Sequence, residues 1–143
     1  MLDKFKREIT YLRISVTDKC NLRCTYCMPK EGVEFRSHKD FLSFEDIRKI
    51  VEEAAKLGIS KIRLTGGEPL IKRGIEDLVE MIVNVNGIET VAMTTNGILL
   101  PEKAKSLKKA GLSSVNISFD TLNPEKYKNI TRGGDLQNVF AGI

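Results

Sequence analysis

The sequence shows no run long and apolar enough for a membrane-crossing helix, and no visible secretory signal. Among its 143 residues no apolar run approaches the ~18–20 residues that a bilayer span requires. The opening MLDKFKREIT is charged and polar, without the hydrophobic centre of a secretory signal. An excess of one charge is also lacking: 23 basic and 19 acidic residues are interspersed, for a net +4. That is a solvated mixed surface, which gives little support for nucleic-acid binding. The densest basic run, EKAKSLKKAG at 102–111, places its charges on one side of a predicted helix and reads as an ordinary exposed face. Linkers and low-complexity segments are missing too. Thiols are scarcest of all, at three. An odd count behind a non-secretory start argues against a disulfide framework and for a reducing, cytoplasmic compartment.

What is present is alternation. YLRISVT (11–17) switches between apolar and polar residues as a strand does. Ser43 to Gly58 then reads as a helix. Ser43 is the cap, Glu45 and Asp46 lie in the first turn, Ile47, Ile50, Val51, Ala54 and Leu57 form the apolar stripe, and Gly58 is the stop. The pattern recurs. Strand 61–65 precedes a helix over 75–85, strand 90–95 precedes a helix opened by Pro101 and closed by Gly111, and strand 114–120 precedes a helix capped by Asn123. A further helix starts at Asp135. Four βα units imply an α/β fold with a parallel sheet and right-handed crossovers.

Parallel strands normally read as continuous apolar runs. Here the period of two separates Leu12, Ile14, Ile62, Leu64, Val91 and Met93 from Arg13, Ser15, Lys61, Arg63, Thr94, Asn96, Asn116, Ser118 and Asp120. A polar strand face cannot form a dry core without partners. It therefore faces water or lines a lumen filled by polar ligands, and the lumen is favoured because the same strands end in the motifs below.

Cys20, Cys24 and Cys27 follow the first strand with the spacing C-x3-C-x2-C. Three thiolates on one short loop suit a cuboidal iron–sulfur cluster with one iron left open. A Cys3His zinc site using His38, a redox pair at Cys24 and Cys27, or plain buried cysteines would also fit the spacing. At the end of the second strand stands LTGGEPLI (64–71). Gly66 and Gly67 clear space for a ligand to approach backbone amides, Glu68 offers an anion to an ammonium group, and Pro69 stiffens the turn.

With these motifs the chain resembles the radical S-adenosylmethionine enzymes. The wording LRISVTDKCNLRCTYCMP, IRLTGGEPL, MTTNG and NISFDTLNPEKY…ITRGG further resembles the GTP 3′,8-cyclase family of molybdenum cofactor (molybdopterin) biosynthesis. The resemblance implies a [4Fe-4S] cluster on Cys20, Cys24 and Cys27, with S-adenosylmethionine chelated at the open iron. It implies Tyr26 against the adenine, Gly67 (with Gly66 and Glu68 in the same turn) at the methionine moiety, and Ser118 near the adenosyl ribose. Arg13, Arg63 and Thr94 match positions that bind GTP, and Lys61 is an added inference from the same strand face. The implied reaction makes 3′,8-cyclo-7,8-dihydro-GTP through a 5′-deoxyadenosyl radical, with positioning and exclusion of water rather than a named acid or base.

The resemblance also implies a reductant protein and a downstream cyclic pyranopterin monophosphate synthase, and it leaves room for a homodimer. The expected architecture is a partial, open TIM-like parallel barrel. Residues 1–143 form the N-terminal part of that barrel domain, and family members continue to a second [4Fe-4S] cluster beyond it. On that expectation these residues alone are incompetent for the full reaction. Two other readings stay open on the residues alone: a radical S-adenosylmethionine enzyme with a different substrate, and a Cys3His zinc-binding module.

Overall fold

The computed structural model describes residues 2–35 and 37–143, and for His38 the backbone only. Four strands, β1 (Tyr11–Ser15), β2 (Lys61–Thr65), β3 (Thr90–Thr95) and β4 (Ser114–Ile117), pair in parallel in the order β1-β2-β3-β4. Helices α1 (Phe44–Lys56), α2 (Ile75–Val83), α3 (Leu100–Lys109), α4 (Pro124–Thr131) and α5 (Leu136–Ala141) follow the strands in turn. Sheet order that equals chain order, with a helix in each crossover, is the connectivity of a parallel barrel. Four strands make an open part of one, as expected.

Three of the five helices, α1, α4 and α5, open on a side-chain cap visible in the sequence. Ser43 Oγ accepts from Asp46 N at 3.1 Å, Asn123 Oδ1 from Lys126 N at 2.9 Å and Asp135 Oδ1 from Gln137 N at 2.9 Å. The α1 stripe is narrower than expected. Ile47 and Val51 are buried, but Ile50 and Leu57 are exposed, because only the inner part of α1 meets the sheet. Helix α2 stops at Val83, two residues early, where the Asn84 side chain donates to Glu80 O at 2.8 Å. β4 stops at Ile117 rather than Asp120, since β3 has already turned away at Gly97, with φ 84°.

The core lies between the helices and the apolar strand face, where Ile62, Leu64, Val91 and Met93 meet Ile75, Leu78 and Ile82, all essentially buried. The other face keeps Arg13, Ser15, Lys61, Asn116 and Ser118 exposed and Arg63 and Thr94 half-buried. The two-residue alternation thus separates a packed side from a more exposed polar side.

Candidate functional site

The cysteine loop leaves the sheet through Val16, whose N–H still donates to Thr65 O at 2.9 Å. It is then fastened to the glycine turn after β2. Gly67 N donates to Thr17 O at 2.7 Å and Glu68 N to Lys19 O at 2.8 Å. A Cβ on Gly66 would stand 2.4 Å from Thr17 O, and one on Gly67 2.1 Å from Lys19 O. The glycines are therefore required by the protein's own backbone. This corrects the expectation that they clear amides for a ligand, because the amides of residues 67 and 68 are already spent.

Glu68 needs a second correction. It is 1% exposed, and its Oε1 accepts from Leu70 N at 2.9 Å and Thr95 Oγ1 at 2.8 Å, while Oε2 accepts from Asn96 N at 2.7 Å. Its carboxylate joins the ends of β2 and β3 and is not presented to an ammonium group. Asn96, so fixed, donates through Nδ2 to Asn21 Oδ1 at 2.7 Å and lies 4.0 Å from Cys20 Sγ. Asn96 and Asn21 are site residues that sequence reading did not single out. The only signal was Asn96's place on the polar face, in TTNG.

The thiols sit in a compact turn. Cys27 N and Met28 N both donate to Cys24 O, at 2.9 and 3.2 Å, which puts Cys24 and Cys27 one helical step apart. Leu22 N donates to Cys20 Sγ at 3.4 Å. Burial pushes the thiols of Cys20 and Cys24 up, and neighbouring negative groups add to it: Glu68 and Cys24 at Cys20, Cys27 and Asp120 at Cys24. Metal binding must therefore displace protons here.

Among the described residues no three His, Cys, Asp or Glu side chains gather around one ion position. A cuboidal cluster does not need that, since each thiolate bonds a different iron. The Tyr127 hydroxyl is buried with no hydrogen-bond partner among the described residues, and its phenol feels the charges of Cys24 and Cys20. An orphaned donor in that position, together with an all-sulfur ligand set, fits a group rich in acceptor lone pairs. The histidine of the zinc reading, His38, has its side chain outside the described residues.

The polar strand face runs up to this loop. Arg13 and Arg63 lie opposite each other in the β1–β2 register. Neither has a carboxylate partner among the described ion pairs. Arg63 Nη1 donates to Asn116 Oδ1 and, at 3.4 Å, to Thr94 Oγ1, and its guanidinium stands 6.0 Å from the Tyr11 ring. Lys61 is exposed two residues before it. Ser118 is exposed at the end of β4, its N–H donating to Thr95 O at 2.8 Å. Tyr26 is 64% exposed, and its hydroxyl donates to Asp120 Oδ2 at 2.9 Å; burial and this bond raise its pKa. A cleft of about 630 Å³ lies beside the loop, lined by Thr17, Lys19, Phe41, Phe44, Lys72 and Arg73 among others, and includes no cysteine and no strand arginine.

The GTP 3′,8-cyclases of Alkaliphilus oremlandii and Pelotomaculum thermopropionicum are 57% and 54% identical to this chain over all 143 residues, which cover 45% and 44% of those proteins. The chain thus spans under half the length of the curated relatives it matches. Streptococcus suis SuiB bound to S-adenosylmethionine superposes with a TM-score of 0.71 at 19% identity, over 92% of this chain and 28% of that one. HydG, a maturase of the [FeFe]-hydrogenase, gives 0.69 at 19% identity, over 93% and 33%. At such identities the likeness shows the fold. The Radical SAM superfamily matches residues 14–143, so nearly the whole chain, cysteine loop and sheet together, belongs to the radical S-adenosylmethionine superfamily.

Proposed function

We propose that this chain is the cofactor-binding portion of a GTP 3′,8-cyclase, converting GTP to 3′,8-cyclo-7,8-dihydro-GTP in molybdenum cofactor biosynthesis. Cys20, Cys24 and Cys27 hold the family's [4Fe-4S] cluster, with S-adenosylmethionine at its open iron. That pair supplies, after one-electron reduction, a 5′-deoxyadenosyl radical able to take hydrogen from the GTP ribose. The chain's own residues bind and orient. Tyr26 and Ser118 flank the adenosyl group, Gly66 and Gly67 border the methionine end, and Arg13, Lys61, Arg63 and Thr94 take the triphosphate side of GTP. Glu68 acts only through Asn96 and the turn. An electron-donor protein and a downstream cyclic pyranopterin monophosphate synthase complete the reading.

The observation that supports GTP is the Arg13–Arg63 pair. Like charges side by side on neighbouring strands repel, and here no carboxylate among the described ion pairs relieves them. A polyanion would, and guanidinium forks suit phosphate oxygens. The name GTP 3′,8-cyclase borne by the relatives agrees with that chemistry. Arg63→Ala in the anaerobically reconstituted enzyme should weaken GTP binding about tenfold or more, in the range of ~1.5–3 kcal/mol for a charged hydrogen bond. Cleavage of S-adenosylmethionine without GTP should stay near its original rate. Loss of that cleavage with unchanged GTP affinity would place Arg63 on the cofactor side instead.

A further inference from the structure

Arg132 occupies a position where glycine costs less. It is the C-cap of α4, at φ 55° and ψ 51°, in the left-handed region that costs a residue with a Cβ roughly 1–2 kcal/mol. Among the described residues only Lys6 shares a positive φ without being glycine. Glycines stand at the next two positions, 133 and 134, so the arginine's side chain is the reason to look further.

That side chain reaches back over the cysteine loop. Nη1 donates to Met28 O at 2.8 Å and to Arg23 O at 3.2 Å. Those two carbonyls bracket Cys24 and Cys27. Beside the guanidinium, the end of α4 gives its otherwise unpaired carbonyls to the same loop: Thr25 N donates to Ile130 O at 2.8 Å and Arg23 N to Thr131 O at 3.3 Å. Gly134 completes the contact, since a Cβ there would stand 3.0 Å from Leu22 Cδ2 and 2.6 Å from Thr131 Oγ1. A helix C-terminus carries a partial negative charge, and here it points at a loop that bears three thiolates when metal is bound. The guanidinium sets a cation against the same loop. The loop is thus gripped on two sides, by the glycine turn after β2 and by the end of α4.

We propose that Arg132 is a positioning residue for the cluster. It bridges the loop from Arg23 to Met28, fixes Cys24 and Cys27 relative to each other, and offsets the negative end of α4. The backbone strain at residue 132 is what this clamp costs. The inference rests on the reading of the three cysteines as cluster ligands, and it assigns a role to the ITRGG segment.

The clamp predicts two effects of opposite sign for Arg132→Gly. Relief of the left-handed strain should leave the metal-free protein as stable as the original or more so, by thermal unfolding. Loss of the two bonds and the charge should speed iron release to a chelator at least tenfold in the anaerobically reconstituted protein, and should move the cluster's midpoint potential negative. Arg132→Lys, which keeps the charge, should restore the potential more than the retention. Iron release at the original rate from Arg132→Gly would overturn the clamp. So would a fall in metal-free stability that accounts for the iron lost, since that marks an ordinary folding residue. If the unsubstituted protein takes up no iron and sulfide, the cluster reading itself fails, and the clamp with it.

Discussion

Glu68 shows how one buried carboxylate can shape a loop to which it does not belong. Three donors converge on it, from Leu70, Thr95 and Asn96, so it sets the geometry of the turn behind the cysteine loop and of the amide that approaches Cys20. Glu68→Gln removes the charge but replaces one acceptor by a donor that must face a backbone N–H. That mismatch should cost about 1–3 kcal/mol, read by chemical denaturation of the metal-free protein. The pH dependence has a definite sign. Burial pushes the Glu68 carboxyl above its ordinary 4.5, against the pull of its three hydrogen bonds. A folded value above the unfolded one gives stability that is complete below about 4.5 and is lost as pH rises through the folded value. The stability difference between the original and Glu68→Gln should therefore shrink with rising pH across that window. A difference that grows would mean the hydrogen bonds outweigh the burial.

At the scale of elements, the sequence was most legible where local chemistry alone decides. Ser43, Asn123 and Asp135 cap the helices they were expected to cap, and β2 and β3 run between the residues that the alternation marks. Packing against neighbours was less legible: Ile50 and Leu57 fit the helical period of α1 yet stay exposed. The site divides the same way. The three cysteines are visible as a spacing, whereas the use of Glu68, Asn96 and Arg132 depends on which loop lies against which element. The ITRGG wording marked the end of α4 as distinctive, and nothing local says that it faces residues 22–28.

Helix α4 also carries the orphaned hydroxyl of Tyr127, on a residue only 1% exposed. A buried hydroxyl without a partner loses hydration and regains nothing. Tyr127→Phe should therefore leave the metal-free protein equally stable or raise its stability by up to ~1 kcal/mol. A loss beyond ~1 kcal/mol on thermal or urea unfolding would show that the hydroxyl has a partner even without metal.

At the scale of the whole molecule, the decisive feature is a sheet with two edges. A closed barrel has none, and these strands have the order and direction of part of one. The β4 edge is the more exposed to self-association. Among the described residues it pairs only with β3, Val115 on it is 37% exposed, and beside it opens an apolar cleft of about 260 Å³ lined by Leu100, Ala104, Leu107, Leu112 and Val115 among others. An unpaired strand next to apolar surface is a template for another chain. The 143-residue chain by itself should therefore associate reversibly as its concentration rises, seen as a concentration-dependent sedimentation coefficient. Val115→Lys sets a charge on that edge, a common natural protection against edge pairing. It should shift the association midpoint to at least about tenfold higher concentration, roughly 1.4 kcal/mol. The substituted side chain is already partly in water, so the unfolding temperature of the monomer should change little. If association survives Val115→Lys unchanged, the sticky surface lies elsewhere, and the β1 edge, with Tyr11 43% exposed, is the next strand to charge. If the original chain stays monomeric at every concentration, four βα units are sufficient to shield their own edge.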